Sequence, residues 1–278
     1  MRNEGSSFIE SFRRYQQFDN WFLAFNPLSK LNILFVLGFS SMLINDWRYG
    51  FTLSILLCIL AFAVNRGVKF LKPFSVIVLI FGFFTLVIRQ FSVEGTTVLF
   101  TLFGILPVTE EALVNGLNTA SYLLGFSGAV ILFFVTTEMR DLMYVLEQKG
   151  MSHEVSYIVL ASFQTIIDLR KNAELIMESQ KARGIETEGS VMNRIRAFFP
   201  ILGPLVLGAI SGTEEKSIAM DARAFSVKCK HTFLRELRPA LAWEKILTAA
   251  ADICFVLLVV YKLVPVSYTH SRAHETRG

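Results

Sequence analysis

Runs of apolar residues separated by short polar turns dominate most of the chain. Five such runs cover residues 31–45, 50–64, 74–88, 112–135 and 243–264. A helix needs about 20 apolar residues to cross a bilayer, so each run must extend into its flanks. Trp47 and Tyr49 fit such a flank because their rings suit the membrane interface. The pattern predicts five membrane-spanning helices in an all-α, polytopic membrane bundle.

Two parts of this pattern are less regular. The first two runs have an alternative interpretation as one re-entrant hairpin over residues 31–64, although the polar segment 45–48 is more typical of a tight turn between two helices. Residues 89–111 contain an apolar piece interrupted by Gly104 and Pro107, which are residues typical of turns and loops. We expect a partly buried outer loop there.

Basic residues in the short connections predict the orientation of the chain. Segment 65–73 contains three basic residues and no acidic one, whereas segment 46–49 contains only Arg48 as a basic residue. Because cytoplasmic loops carry an excess of Lys and Arg, segment 65–73 is predicted to be cytoplasmic. The N-terminal arm, residues 1–30, and the long insert, residues 137–242, then lie in the cytoplasm, and the C-terminus lies outside.

The long polar insert separates the fourth and fifth predicted spans. Apolar residues recur at helical spacing over 153–183, and Gly184 follows as a natural left-handed helix end. At 1.5 Å per residue this helix would be about 45 Å long. A second helical unit is predicted from Val191 and a third helix from about Thr213, with Glu214 and Glu215 at its positive end.

Small and helix-breaking residues predict where helices bend or approach each other. The second unit of the insert contains Pro200 and Pro204, followed by a Gly208 to Gly212 spacing that favours a bend and close helix contact. Gly125 and Gly128 predict close contact on the fourth span. Several phenylalanines are expected to face lipid or pack between helices: Phe81, Phe83, Phe84, Phe133 and Phe134.

Two helices of the insert end alike. The two ends are Ala182-Arg183-Gly184 and Ala222-Arg223-Ala224. One Arg at a helix end usually only favours the negative end of the helix dipole, by about 0.3 to 1 kcal/mol. Here small residues flank both guanidinium groups, which leaves each of them prominent and lets another backbone approach. The repetition favours two forked donors that dock into carboxylate-lined grooves of a partner.

Composition excludes several classes of protein. The chain has 278 residues, of which 53% are hydrophobic and 18% charged, and its mean hydropathy is +0.49, which is not the balance of a soluble enzyme. A net charge of +4 is no indication of nucleic-acid binding in such a chain. Cys58, Cys229 and Cys254 are single and imply neither a disulfide framework nor a metal site. The chain also lacks the GxxxxGK[ST] and GxSxG motifs, so we predict no enzyme activity and no cofactor.

The sequence leaves two classes of function open as alternatives to a scaffold that docks partner proteins. A gradient-driven permease would need ionisable residues deep in its spans. Only Asp252 qualifies, and because Glu244 and Lys245 precede it, we favour the interpretation that Asp252 marks the cytoplasmic start of the last span. The other alternative is a membrane adaptor without transport, which a pull-down would distinguish by the partners that it captures.

Three motifs together resemble the transmembrane T component of energy-coupling factor transporters, the EcfT/CbiQ family. They are Asn-Pro-Leu-Ser-Lys-Leu at 26–31, the segment after the fourth span with Thr136, Thr137 and Asp141, and the paired Ala-Arg-small ends. The resemblance covers residues from about 26 to about 262.

This resemblance implies a non-enzymatic scaffold in a prokaryotic cell membrane. Two ABC-type ATPase subunits would bind the coupling helices, and a separate membrane S component would capture a vitamin or a metal ion. The residues that would contact the ATPases are Ala182, Arg183, Gly184, Ala222, Arg223 and Ala224. The second motif departs from the family pattern because Ala224 replaces a glycine, so a positive φ at that residue would be strained.

The last residues do not resemble the rest of the chain. The fifth span is predicted over 243–265, and the polar segment 266–278 is not expected to continue its helix. We expect this tail to be an artefact outside the functional chain.

Overall fold

The computed structural model describes residues 20–44, 46–92, 98–102, 106–184, 191–225, 227, 237 and 240–275. Within these residues the chain is almost entirely helical. The helices are α1 Pro27–Leu43, α2 Trp47–Ala63, α3 Gly67–Ile77, α4 Phe83–Ser92, α5 Glu110–Thr136, α6 Met139–Gln148, α7 His153–Ala182, α8 Val191–Asp221 and α9 Ala242–Glu275. They form two compact units, a bundle unit (Met1–Val145 with Leu234–Gly278) and an insert unit (Leu146–Phe233).

The first two predicted spans are separate helices. Pro27 occupies the first turn of α1, and the side chain of Asn26 accepts a hydrogen bond from the amide of Leu28 at 3.1 Å. The carboxylate of Asp46 caps α2 in the same way, accepting from the amide of Arg48 at 3.0 Å. Such caps satisfy amides that have no partner inside the helix. The structure therefore has two separate helices here, and that each of them spans the membrane stays a prediction.

Helices α3 and α4 are one continuous rod, joined by a π-helical turn at Val78–Gly82. Among the described helices, Gly67–Ser92 and Glu110–Thr136 are long and apolar enough to cross a membrane by length and composition. Helices α1 and α2 are apolar but have only 17 residues each. The count of five spans stays a prediction, as do the orientation and the cytoplasmic position of the insert.

The outer loop predicted at 89–111 is wrong over much of its length. Arg89 to Ser92 belong to α4, and an antiparallel hairpin follows, with strands β1 Val98–Leu102 and β2 Leu106–Thr109. Its residues are mostly apolar or β-branched, which suits extended backbone. Pro107 is tolerated because a two-stranded sheet has only edge strands. Gly104 lies outside the described residues.

The core of the bundle unit forms around α5. This helix packs against α1, α2, α3 and α4, and small residues let the backbones approach. A methyl group added at Gly50 of α2 would lie 2.6 Å from the carbonyl carbon of Ser121 on α5. Methyl groups at Gly125 and Gly128 would meet side chains of other bundle helices, so the predicted close contacts at these glycines are confirmed.

The phenylalanines divide between the two expected environments. Phe81, Phe83 and Phe84 are exposed on the α3–α4 rod, as is Phe134 on α5, whereas Phe133 is buried. The rod contacts the rest of the bundle along a narrow strip, and most of its large apolar side chains are exposed. This surface suits contact with lipid.

The insert unit is an antiparallel hairpin of α7 and α8. The amide nitrogen of the Gln180 side chain donates to the carbonyl of Pro200 at 3.5 Å, and the ammonium of Lys216 lies 4.0 Å from the carboxylate of Asp168. At the other end the ring of Phe225 packs on Tyr157. These contacts pair the end of one helix with the beginning of the other.

The predicted break inside the second half of the insert is wrong. Helix α8 runs without interruption from Val191 to Asp221, so the third helix expected from Thr213 is its last part. Glycine in a helix costs only about 1 kcal/mol relative to alanine, which a long helix tolerates. Methyl groups at Gly208 and Gly212 would meet no atom of the described chain within 4 Å, so the predicted close approach there is also wrong.

Helix α9 continues beyond the predicted end of the fifth span. It runs to Glu275, so the expectation that the tail does not continue the helix is wrong for the described backbone. The sequence explains this, since residues 266–275 contain neither Gly nor Pro. That the tail is an artefact stays a prediction.

Candidate partner-docking site

The end of α7 presents Arg183 on a regular helix termination. The amide of Arg183 donates to the carbonyls of Ser179 and Gln180 at 3.3 and 3.1 Å. Gly184 follows with φ +84°, and its amide donates to the carbonyl of Lys181 at 3.0 Å. A residue in the left-handed region commonly ends a helix, and glycine adopts it without a steric penalty. The predicted left-handed end is confirmed.

The end of α8 has the same form with a different residue. Ala224 has φ +56°; its amide donates to the carbonyl of Asp221 at 3.0 Å, and the amide of Phe225 donates to the carbonyl of Met220 at 3.1 Å. This pair of bonds is the Schellman termination. The left-handed conformation costs a residue with a Cβ roughly 1 to 2 kcal/mol. Ala224 thus has the positive φ that would be strained for a residue other than glycine, and α8 ends on a strained alanine.

The two guanidinium groups are exposed and lie at opposite ends of the hairpin. Arg183 follows the last residue of α7, whereas Arg223 comes two residues before Phe225, whose ring packs on His153 and Tyr157 at the beginning of α7. A helix of 30 residues is about 45 Å long, which approximates the distance between the two ends. Neither guanidinium makes a hydrogen bond or an ion pair with another residue in the described part of the chain. Both remain available to partners.

Aromatic packing holds the Arg223 end in place. The ring of Phe225 lies 5.1 Å from the imidazole of His153 and 5.0 Å from the ring of Tyr157, measured between centroids. His153 in turn contacts the carboxylate of Glu147 at 2.7 Å through its Nδ1 atom. The sequence did not predict that Phe225 contacts His153. The only signal in the sequence was an aromatic residue directly after the Ala222-Arg223-Ala224 end, which does not identify its contacts.

A second polar cluster lies in the bundle unit around Lys30. Its ammonium group donates to the carbonyl of Leu23 at 3.0 Å and to that of Thr136 at 3.4 Å, and it lies 5.5 Å from the ring centroid of Phe22. Lys30 is only 2% exposed. Since burying an unpaired charge is very unfavourable, the group needs compensating partners of opposite charge.

Two buried carboxylates supply that compensation. Asp141 on α6 and Glu244 on α9 are 5% and 2% exposed, and both exert an attractive charge effect on Lys30. Glu244 also accepts from the backbone amide of Asn26 at 3.4 Å. Lys30 and Asp141 belong to the motifs at 26–31 and after the fourth span, but nothing in their spacing indicated that they meet. Glu244 was identified only as an acid that precedes Asp252.

Asp252 lies deeper along α9 and has a specific partner. The amide nitrogen of the Asn32 side chain lies 2.9 and 3.0 Å from the two carboxylate oxygens. Asp252 is half-buried, and Asn32 is near the beginning of α1. The interpretation that Asp252 marks the cytoplasmic start of the last span stays a prediction.

The fold and these sites define a class, namely an all-α membrane helix bundle that carries a two-helix insert with arginine-tipped ends. The family model CbiQ, described as cobalt transport protein, matches residues 18–232, which is more than half of the chain. The chain belongs to this family of transport proteins.

Three curated relatives to which the chain is similar carry the same name. The energy-coupling factor transporter transmembrane protein EcfT of Listeria innocua is 29% identical over 247 residues, covering 81% of this chain and 88% of the relative. EcfT of Lactococcus lactis is 25% identical and covers 90% of this chain and 97% of the relative. EcfT of Staphylococcus aureus is 29% identical and covers 65% and 70%.

Proposed function

We propose that this chain is the transmembrane scaffold subunit of an energy-coupling factor importer. It couples ATP hydrolysis by two partner ATPase subunits to reorientation of a substrate-binding S component that carries a vitamin or a metal ion. The chain itself catalyses no reaction. Family membership and the names of the relatives support this role.

The observation that carries the proposal is the pair of exposed arginines at opposite ends of the insert hairpin. Their separation of about 45 Å gives each ATPase its own contact, and the two contacts do not overlap. A planar guanidinium donates two parallel hydrogen bonds to a carboxylate, which gives the contact a defined geometry as well as affinity. Ala182 and Ala222 leave room for the backbone of the partner beside each guanidinium.

The cytoplasmic position of the insert follows from the same proposal. Hydrolysis of ATP takes place in the cytoplasm, so both arginine ends must lie on that side of the plasma membrane. Segment 65–73, with its excess of basic residues, then lies on the same side.

The test is co-purification of the two ATPases with tagged wild-type chain and with Arg183→Ala, Arg223→Ala and the double variant. Truncating one member of a buried, hydrogen-bonded charge pair at an interface typically costs about 2 to 5 kcal/mol. We expect each single variant to weaken retention of the ATPases and the double variant to lose it. All variants should still insert into the membrane.

The matched control is Arg170→Ala. Arg170 is an exposed arginine in the middle of α7 that makes only an i,i+4 ion pair with Glu174 at 3.1 Å, so its removal should leave retention unchanged. Retention of both ATPases at the wild-type level by the double variant would refute the docking role of the two arginines.

A permease is the second candidate, and Asp252 is the observation in its favour, because the structure pairs this carboxylate with Asn32 inside the bundle unit. Reconstitution of the purified chain in liposomes without any ATPase distinguishes the two. Solute uptake driven by an ion gradient alone would support the permease and exclude the scaffold role.

A further inference from the structure

The bundle unit contains a buried ammonium group whose contacts the docking proposal does not use. Lys30 brings together parts of the chain that are distant in sequence, since it donates to the carbonyl of Thr136 at 3.4 Å, 106 positions away. It also attracts the charges of Asp141 and Glu244. Three helix beginnings, those of α1, α6 and α9, therefore converge on one side chain.

The position of these partners in the topology is specific. The chain leaves the bundle unit through the turn after α5 and through α6, and it returns ahead of α9. Thr136 and Asp141 belong to the outgoing connection. Glu244 is the third residue of α9, the helix that follows the returning connection. Both connections between bundle and insert are thus anchored to Lys30, within the bundle unit.

Other contacts strengthen the same junction. The backbone amide of Asn26 donates to the carboxylate of Glu244 at 3.4 Å, and the ring of Phe25 packs edge-on against Trp243 at 5.0 Å. These contacts join the segment ahead of α1 directly to the beginning of α9. Removing the charge of Lys30 would leave these two contacts in place and would remove the bond from Lys30 to the carbonyl of Thr136 in the outgoing connection.

We propose that Lys30 is a positioning residue for energy coupling, which fastens both roots of the insert to the beginning of α1. The inference rests on the proposed function. With the roots fastened, a displacement of the insert by the ATPases moves the bundle helices as well. Without the bond from Lys30 to the carbonyl of Thr136, the turn between α5 and α6 acts as a hinge, and the displacement of the insert does not reach the bundle helices.

An ionic fastening suits this role better than apolar packing does. An ammonium group donates in three directions, and the carbonyls of Leu23 and Thr136 accept from it only when both segments are in place, while the two buried carboxylates offset its charge. In some proteins, buried polar groups select one arrangement among several that pack equally well, and Lys30 has the burial and the partners for that role.

The decisive experiment uses the complete complex with both ATPases and the S component, reconstituted in liposomes. The variant is Lys30→Met, which keeps an unbranched side chain one atom shorter and removes its charge, and the readout is solute taken up per ATP hydrolysed. We expect hydrolysis and subunit retention to persist while this ratio falls roughly tenfold, in line with the larger coupling effects of single substitutions. An unchanged ratio would overturn the proposal.

The double variant Lys30→Met/Glu244→Gln keeps the test valid if Lys30→Met does not fold. It removes one positive and one negative charge together, so less uncompensated charge is left in the core. We expect it to hydrolyse ATP with the same reduced uptake. Normal uptake per ATP in this variant would also overturn the proposal. The matched control is Lys72→Met, an exposed lysine on α3, which should behave as the wild type does.

A second measurement separates this inference from the proposed function. Amide hydrogen exchange of the isolated chain in detergent needs neither ATPase nor substrate. Lys30→Met should speed exchange in residues 136–145 and 242–248, whereas Lys72→Met should not. If the wild type binds no ATPase but Lys30→Met exchanges faster than Lys72→Met in these residues, the proposed function fails and the positioning role of Lys30 stands. Equal exchange in the two variants refutes the positioning role.

Discussion

Replacing Ala224 by glycine should stabilise the Arg223 end of α8. Ala224 has φ +56°, a conformation that costs a residue with a Cβ roughly 1 to 2 kcal/mol. Glycine avoids this cost but has more conformational freedom in the unfolded chain, which offsets roughly 0.5 to 1 kcal/mol. Because Ala224 is exposed, its methyl group contributes little packing. The net expectation is a stabilisation of about 0.5 to 1 kcal/mol.

Amide exchange measures this effect locally. The amides of Ala224 and Phe225 donate to Asp221 and Met220, so they exchange only when the helix end opens. A stabilisation of that size slows their exchange about two- to fivefold, since 1.4 kcal/mol corresponds to a factor of ten.

Ala222→Gly is the matched control. Its amide makes a regular helical bond to the carbonyl of Ile218 at 3.0 Å, so glycine there should speed exchange instead. Slower exchange in both variants, or faster exchange in Ala224→Gly, would show that strain at Ala224 does not limit the stability of this end.

Two further predictions follow from the packing. Phe225→Ala removes the ring that holds the end of α8 on α7, so it should weaken ATPase retention at the Arg223 contact. Phe225→Tyr keeps the ring and should not weaken retention. Equal retention in the two variants would contradict the positioning of Arg223 by this ring. Gly50→Ala places a methyl group 2.6 Å from the backbone of Ser121, which cannot move aside as a flexible side chain would. It should lower the thermal stability of the chain in detergent, by about 1 to 3 kcal/mol in unfolding free energy. Gly82→Ala, which meets no described atom within 4 Å, should leave it unchanged.

Local patterns were sufficient for the helices and for the arginine ends. Apolar runs predicted α1, α2, α5 and α9 because a membrane span needs an unbroken apolar stretch. The small residues around Arg183 predicted an exposed guanidinium on a left-handed helix end because these are properties of the adjacent backbone. Prediction was wrong where two local signals competed, as at Gly208 and Gly212, where helix continuity outweighed the glycines.

What the sequence determined by itself is therefore the membrane class, most of the helices, and the two arginine ends, since hydropathy and helix termination depend on neighbouring residues. The tertiary structure decided which distant groups meet. Lys30 and Glu244 are more than two hundred positions apart, and only the packing of α1 against α9 brings them together. The same holds for Phe225 and His153, because ring contacts between antiparallel helices depend on how the helices pair and leave no periodic signal along the chain.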